Sequence, residues 1–492
     1  MADAFSQFEI LLRERVPDGV INLMMEDDDV AWGLIGAMQP ETVGGAAEYD
    51  TVAADYPSQY EAKYKIKIQR GGRVAGRKFS GGTFVTSGKD SQLYMGQGAD
   101  AKYLDPKLTP LASYIQIKMV LKRVIGDLAI NRQQFYADLI DTPVEDIAAD
   151  QTIDAVERVR AWSTNAFYSD GTGSLAQALA AVNVDETAGG QVVTLTGGSF
   201  ARFNMGDLVV AASTANPRVQ RLGNGANGGV GRMYVVDIDR TSLPGAIRLQ
   251  SAPGVGTVAI QVNDHLMLEE SYIFGGASNA VNATVQQGVE SLLITTGVFP
   301  GSISPKFPTG CDVAHYNVLR SFVEGTEGGT DEPSMPLMSS LIDNIKNAKR
   351  TVPTAWIAER GVWSRWSILD QQTQAVVQVP MGAQYQAAGG VAGPALSHME
   401  DRFNKFTSVK VRPKSILGLN PDTWKKFIPM GDRSIHWFYG RGPMAGVSSI
   451  FAPVVDGTQP TETAHAPFDA FCEFGCFDPQ ANFRRVGLNT VS

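Results

Sequence analysis

Apolar and charged positions alternate with period two across residues 63–68, where Lys63, Lys65 and Lys67 interleave with Tyr64, Ile66 and Ile68. That period puts one set of side chains on each face of a strand, so it predicts a half-exposed strand with a charged outer face. Gly71-Gly72 is a turn signal, and a second strand-like run, KFSGGTFVTS, follows Gly76. Together they read as an extended hairpin within 61–112. Such a hairpin is marginal alone in water and needs a surface to lie on. Alternation returns where Ile115, Ile117, Met119 and Leu121 are offset by Gln116, Lys118, Val120 and Lys122. A strand over 113–130 with one face better buried is expected.

After Asn131 the period becomes helical. Thr142 is a good N-cap, Pro143 suits the first helical position, and Glu145 sits where a capping box needs it. No glycine or further proline interrupts the chain from there to Tyr168. Ile147, Ala148, Ala155, Val159, Trp162 and Ala166 form a stripe at helical spacing, widened by Ile153, Val156 and Phe167. The helix would be a rod of roughly 39 Å, stopped by the turn residues SDGTGS at 169–174.

From about 184 to 270 short strand candidates (QVVTLTGG, FNMGDLVVAA, RMYVVDIDR, AIRLQS, VAIQVNDHLML) alternate with Gly-rich loops. A small barrel or sandwich inserted into a larger fold is expected over 185–272. Residues 274–287 read as loops. Residues 335–350 read as a helix with Leu337, Leu341, Ile342, Ile345 and Ala348 inward, ended by Thr351-Val352-Pro353. Trp356, Trp363 and Trp366 fit core or interface anchors. A flexible loop over 381–395 and a strand through FTSVKVRPKSILGL follow. Asn420-Pro421-Asp422 would cap a short helix through Trp424 and Phe427. The end, from 468, reads as strand, turn and strand closing a sheet. At the start, 3–15 fits a short amphipathic helix.

Charge sharpens this picture. Residues 16–62 contain no Lys or Arg and ten acids, including Glu26, Asp27, Asp28 and Asp29. Residues 63–78 contain seven bases (Lys63, Lys65, Lys67, Arg70, Arg73, Arg77, Lys78) and no acid. Lysines can simply guard a strand edge. The abrupt change of sign also fits an acidic arm and a basic ribbon that reach across subunit boundaries, complementary charge fixing the register. Over 492 residues the net charge is −9, which disfavours a general nucleic-acid binder. The chain is long enough for more than one lobe, and its 51 glycines and 25 prolines favour short strands and turns over a helical bundle. No apolar run reaches membrane-spanning length, and the N-terminus lacks the basic start and apolar core of a signal peptide.

Catalytic signatures are missing. Three cysteines (Cys311, Cys472, Cys476) argue against a disulfide framework, and four residues of strand separate the last two by roughly 13 Å. The five histidines do not pair at ligand spacing. There is no G-x-S-x-G, H-E-x-x-H, Walker A or C-x-x-C, and the loop at 223–231 lacks a P-loop ending. Asp237, Asp239 and the pair His265/Glu269 read as isolated surface positions. No catalytic, cofactor-binding or metal-binding residue is assigned, and no cofactor is expected.

The order of elements resembles the major capsid proteins of tailed bacteriophages, the Hong Kong 97-type fold. The local likeness is carried by RVIGDLAINRQQ through the helix to FYSDGTGSLA, and by FGCFDPQANFRRVGL near the end. The resemblance implies an α+β fold. It would have an N-terminal arm (1–60), an extended loop (61–112), and a peripheral domain with its strand and spine helix (113–184). The inserted module (185–272) departs from the family's minimal pattern. An axial domain with strands returning to the peripheral domain would fill 273–492. The family's function is self-assembly: hexamers and pentamers in a closed shell around double-stranded DNA, bound without sequence specificity. Implied partners are a separate scaffolding protein, a portal protein and a possible decoration protein. The implied location is the virion capsid, assembled in the host bacterial cytoplasm. Two other readings stay open: an encapsulin-like nanocompartment of the same fold, and a β-rich glycoside hydrolase, which would need a cleft with two carboxylates at catalytic separation.

Overall fold

The computed structural model describes residues 39–43, 61–69, 79–80, 83–84, 113–120, 122–131 and most of 161–491, with 304–310, 378–403, 430–435 and 438–451 the longest omissions in that last span. It is an α+β molecule with mixed sheets.

The basic alternating stretch is strand Glu61–Gln69. Its partner is Ser113–Val120, antiparallel, from Glu61 opposite Val120 to Gln69 opposite Ser113. The expected local hairpin is therefore corrected: Gly71-Gly72 does not close the pair, and 79–80 pairs only with 83–84. The physical reason is burial. Ile115, Ile117 and Met119 give Tyr64 and Ile66 an apolar face that KFSGGTFVTS lacks. Gln69 and Ser113, which flank residues 70–112, thus lie opposite one another.

The helical stretch is described over 161–167, where Ala166 and Phe167 are buried. Its last turn closes as expected. Ser169 donates its backbone N–H and its hydroxyl to the Ala166 carbonyl, and Gly171 then takes a φ of +75°. The N-terminal part of this helix, with Thr142, Pro143 and Glu145, lies outside the described residues, as do the 3–15 helix and the 381–395 loop.

The β-rich stretch is a closed barrel of strands Leu208–Ala212, Arg232–Asp239, Ala246–Ser251, Gln191–Thr196, Ser174–Ala178 and His265–Leu268. It takes its first strand from ahead of residue 185. Closure removes the sheet edges that an inserted module would otherwise expose. Inward-facing Val193, Leu195, Met233, Val235, Ile247, Leu249 and Leu266 fill one core. His265 is buried, which corrects its surface assignment. It lies 2.9 Å from Ser174 Oγ and 3.2 Å from Gln177 Nε2 across the seam between the last-named two strands. Residues 274–287 also depart from expectation, since Tyr272–Gly275 and Ala280–Ala283 pair as a hairpin.

Strand Gln459–Cys476 organises the second sheet. It pairs with Lys122–Asn131, Trp424–Pro429, His436–Trp437 and Ala452–Asp456. Gln39–Val43, from the acidic arm, adds parallel to Trp424–Pro429. The helix expected through Trp424 and Phe427 shortens to one 3-10 turn, Pro421–Thr423, capped by Asn420. Trp424 and Phe427 belong instead to a strand paired antiparallel with residues 473–476 of the long strand, and both are buried, at 2% and 1% exposure.

The third sheet runs Phe322–Glu324, Phe483–Arg485, Ile416–Leu419, Ala355–Ala358, Asn404–Thr407. Residues 408–415 break the single strand expected over FTSVKVRPKSILGL. The terminal strand–turn–strand splits between two sheets rather than closing one, since 459–476 and 483–485 do not pair. Helices Met335–Asn347 and Arg360–Val377 cover the third sheet. Met338, Leu341, Ile345, Trp356, Trp363 and Trp366 share its core, so the three tryptophans are anchors within the subunit. Gly418 has no room for a side chain, because a Cβ there would lie 2.0 Å from a Phe483 ring atom. Gly418→Ala should therefore destabilise the subunit by about 1–3 kcal/mol, measured as a fall in the denaturant midpoint.

Candidate assembly surface

The basic strand is fixed by its apolar face and leaves its charges outside. Tyr64 and Ile66 are buried, while Lys65 and Lys67 are exposed. The Lys67 ammonium lies 5.9 Å from the ring centre of exposed Tyr114, its cross-strand partner. Tyr64 is the anchor. Its ring stacks on Phe427 at 5.5 Å and packs tilted against Phe477 at 4.4 Å, and its hydroxyl reaches the Cys476 carbonyl at 3.5 Å. Burial pushes its phenol well above the usual range. Gly475 completes the socket, since a Cβ there would meet the Phe427 ring at 2.5 Å and Tyr64 at 3.1 Å. Lys425 closes the far side over Phe477 at 4.7 Å.

Beside this socket sits Glu473, 1% exposed. One carboxyl oxygen accepts the Gln287 N–H at 2.6 Å and the Phe474 N–H at 3.1 Å, while the other has no hydrogen-bond partner. Desolvation raises its pKa from 4.5 to about 8, so it is mostly neutral at pH 7. Nothing in the local pattern singles it out. Residues 473–476 are all buried, so both faces of the strand are covered there and period two no longer marks inside from outside.

Of the basic set, Lys65 and Lys67 are seen with their side chains, and Lys63 is placed by its backbone opposite Lys118. Arg70, Arg73, Arg77 and Lys78 lie outside the described residues, as do Glu26, Asp27, Asp28 and Asp29. The structure therefore does not bring the acidic and basic sets together within the described residues.

Reactive groups are sparse. No cluster of three metal-binding side chains occurs among the described residues. Cys311 and Cys476 are buried. A cleft of about 400 Å³ is lined by Asn317, Arg320, Glu324, Asn344 and Gln480 among others. Its one carboxylate, Glu324, is held by Arg485 at 3.1 Å and Asn344 at 3.1 Å, so the paired carboxylates of a glycosidase are not in this cleft. Among the described residues no helix is long and apolar enough to cross a membrane.

No protein-family model and no curated protein matches this chain. Solved structures do. The cyanophage A-1(L) capsid asymmetric unit matches at 8% identity and a TM-score of 0.41, covering 88% of this chain and 89% of that one. The satellite phage P4 procapsid, which includes a size determination protein, matches at 10% identity and a TM-score of 0.35, covering 96% and 99%. The SrpI encapsulin complex of Synechococcus elongatus PCC 7942 matches at 8% identity and a TM-score of 0.35, covering 94% and 89%. These three solved structures, to which this chain is similar over most of its length, are thus two phage capsids and an encapsulin shell.

Proposed function

We propose that this chain is a major capsid protein of a tailed bacteriophage, a shell subunit that assembles with copies of itself around the phage genome. The observation that carries this reading is the rooted strand pair. Glu61–Gln69 and Ser113–Val120 are pinned to the body by Tyr64, present Lys65 and Lys67 outward, and set Gln69 opposite Ser113. A rigid strand pair with an outward basic face suits a contact made with a neighbour. The charges of 63–78 and 16–62 are complementary, which suits a register between copies.

In this reading 61–112 is the extended loop of the Hong Kong 97-type fold, and 1–60 is the arm. The helix that ends at Phe167 is the spine helix, capped at Thr142. The third sheet and its two helices form the axial domain, packing around the axes of hexamers and pentamers. The barrel is an insertion. Scaffolding, portal and decoration proteins are the expected partners, and the virion capsid the expected location, with assembly in the host cytoplasm. The subunit has no catalytic role.

The test is electron microscopy of the purified protein, expressed alone and with a co-encoded scaffold. Closed shells, or pentameric and hexameric capsomers, are expected. A stable monomer under both conditions would sink the reading. Reversing Lys65, Lys67 and Arg70 to Glu places like charges against the arm, which costs several kcal/mol in a docked interface. The assembled fraction in sedimentation should fall by about tenfold or more, while the monomer's circular dichroism stays unchanged. Undiminished assembly would show that charge does not guide it.

A further inference from the structure

The barrel meets the rest of the subunit through a narrow stalk. Its first and last strands are neighbours, with Ser174 opposite Met267. The chain that enters it and the chain beyond it also lie side by side. Ser169 Oγ is 3.4 Å from the Gln286 carbonyl oxygen, and a Cβ on Gly171 would lie 2.5 Å from Gln287 Oε1. Gly171 and Gly173, at φ of +75° and +80°, make the entering turn. Among the described residues the barrel's apolar core draws only on 175–268. Packing is incomplete where the barrel faces the helix that ends at Phe167. A cavity there is lined by Trp162, Asn165 and Ser169 on one side and Ser174, Leu175 and Leu268 on the other. Trp162 Nε1 and Asn165 Oδ1 are buried beside it without a hydrogen-bond partner.

One buried arginine crosses this joint. Arg202, in the turn Phe200–Arg202 between two barrel strands, is 4% exposed. Its Nε donates to the Lys410 carbonyl at 2.8 Å, Nη1 to the Leu175 carbonyl at 3.3 Å and Nη2 to the Tyr168 carbonyl at 3.5 Å. Asn165 Nδ2 donates back to the Arg202 carbonyl at 2.9 Å. The acceptors belong to the 408–415 connection of the third sheet, to the first barrel strand and to the end of the helix, where the last carbonyls favour a cation. Among the described residues no carboxylate bonds Arg202, and burial holds its pKa below the usual arginine value. A buried charge bonded only to neutral groups is a costly way to fill space. What the guanidinium supplies is direction, because donors fixed in one plane meet three carbonyls in a single arrangement.

We infer that Arg202 is a latch that fixes the direction of the barrel on the subunit body, and that without it the folded barrel swings about the stalk at 169–173 and 286–287. The latch is a property of the single subunit and stands whether or not the chain builds a shell.

Pulsed electron paramagnetic resonance on the full-length unassembled chain tests this. Spin labels enter as noncanonical amino acids at exposed Thr194 on the barrel and exposed Asn347 on the body. The wild type should give one narrow distance peak. Arg202→Met keeps most of the bulk and removes the donors, so the narrow peak should be lost to a broad distribution. Slow hydrogen exchange of the barrel strands should stay unchanged, because their core is separate from the joint. Arg202→Lys keeps the charge but cannot span three carbonyls. It should broaden the peak as well, and it reads the latch even if Arg202→Met misfolds. A wild-type peak in either variant would overturn the inference. Loss of barrel protection in Arg202→Lys would overturn it too, by making Arg202 a support of the barrel's own fold.

Discussion

Glu473→Gln should flatten the pH dependence of stability between pH 4.5 and 8. The Glu473 carboxyl titrates at about 8 in the folded chain against 4.5 when free, because burial disfavours its anion more than two backbone N–H groups favour it. The native state therefore holds a proton that the unfolded state releases above pH 4.5. Stability contributed by the neutral form is fully present below that pH, falls as pH rises, and stops falling once pH passes the folded value near 8. A glutamine side chain at this position cannot ionise and lacks this slope. Near pH 4.5 the acid and the amide are both neutral in the folded chain, and each leaves one end unpartnered, so the two proteins should have similar denaturant midpoints. By pH 8 the variant should have gained on the order of 4 kcal/mol relative to wild type, since each pKa unit is about 1.4 kcal/mol. Parallel urea titrations at pH 4.5, 6 and 8 measure it. A constant difference across that range would mean that Glu473 is ionised in the native state, with water or Lys122 reaching the second oxygen.

Glu473 also shows where local pattern stops being informative. Elements were legible wherever one face met water. Lys63 to Ile68 gave a strand, with Lys65 and Lys67 correctly outward, Ile115 to Met119 gave its buried partner face, and Leu341 and Ile345 gave the inward side of a helix. The barrel strands were legible for the same reason, down to the alternating exposure of Arg232 to Val235. Reading failed where long-range pairing decides the outcome. Glu61–Gln69 ignores the nearer run after Gly76 and pairs with Ser113–Val120, and Gln39–Val43 finds a parallel partner near residue 427. Neither choice leaves a local trace. Trp424 and Phe427, spaced as helix neighbours, are a strand because both covering surfaces come from distant segments. His265 looked like a stray surface residue until the closing seam of the barrel enclosed it. Of the candidate surface, the charges were legible, and the Tyr64 socket and the Glu473 carboxyl were not.

The socket carries the second large effect. Tyr64→Ala should cost about 3–5 kcal/mol of subunit stability, the usual range for emptying a fully packed aromatic site. The ring touches Phe427 and Phe477, and Gly475 lies bare beneath it, so the neighbours have little room to collapse into the space. Tyr64→Phe separates packing from hydrogen bonding. The hydroxyl's bond to the Cys476 carbonyl is long at 3.5 Å, so its loss should cost under about 1 kcal/mol. If the strand pair is the root of a contact between subunits, the two variants should also part company in assembly. Tyr64→Phe should assemble as wild type. Tyr64→Ala should lose assembly at temperatures where its fold is still intact by circular dichroism, because the ring fixes the direction in which Lys65 and Lys67 face. Loss of stability with assembly unimpaired below the melting transition would separate the socket from the interface and leave it a feature of the core alone.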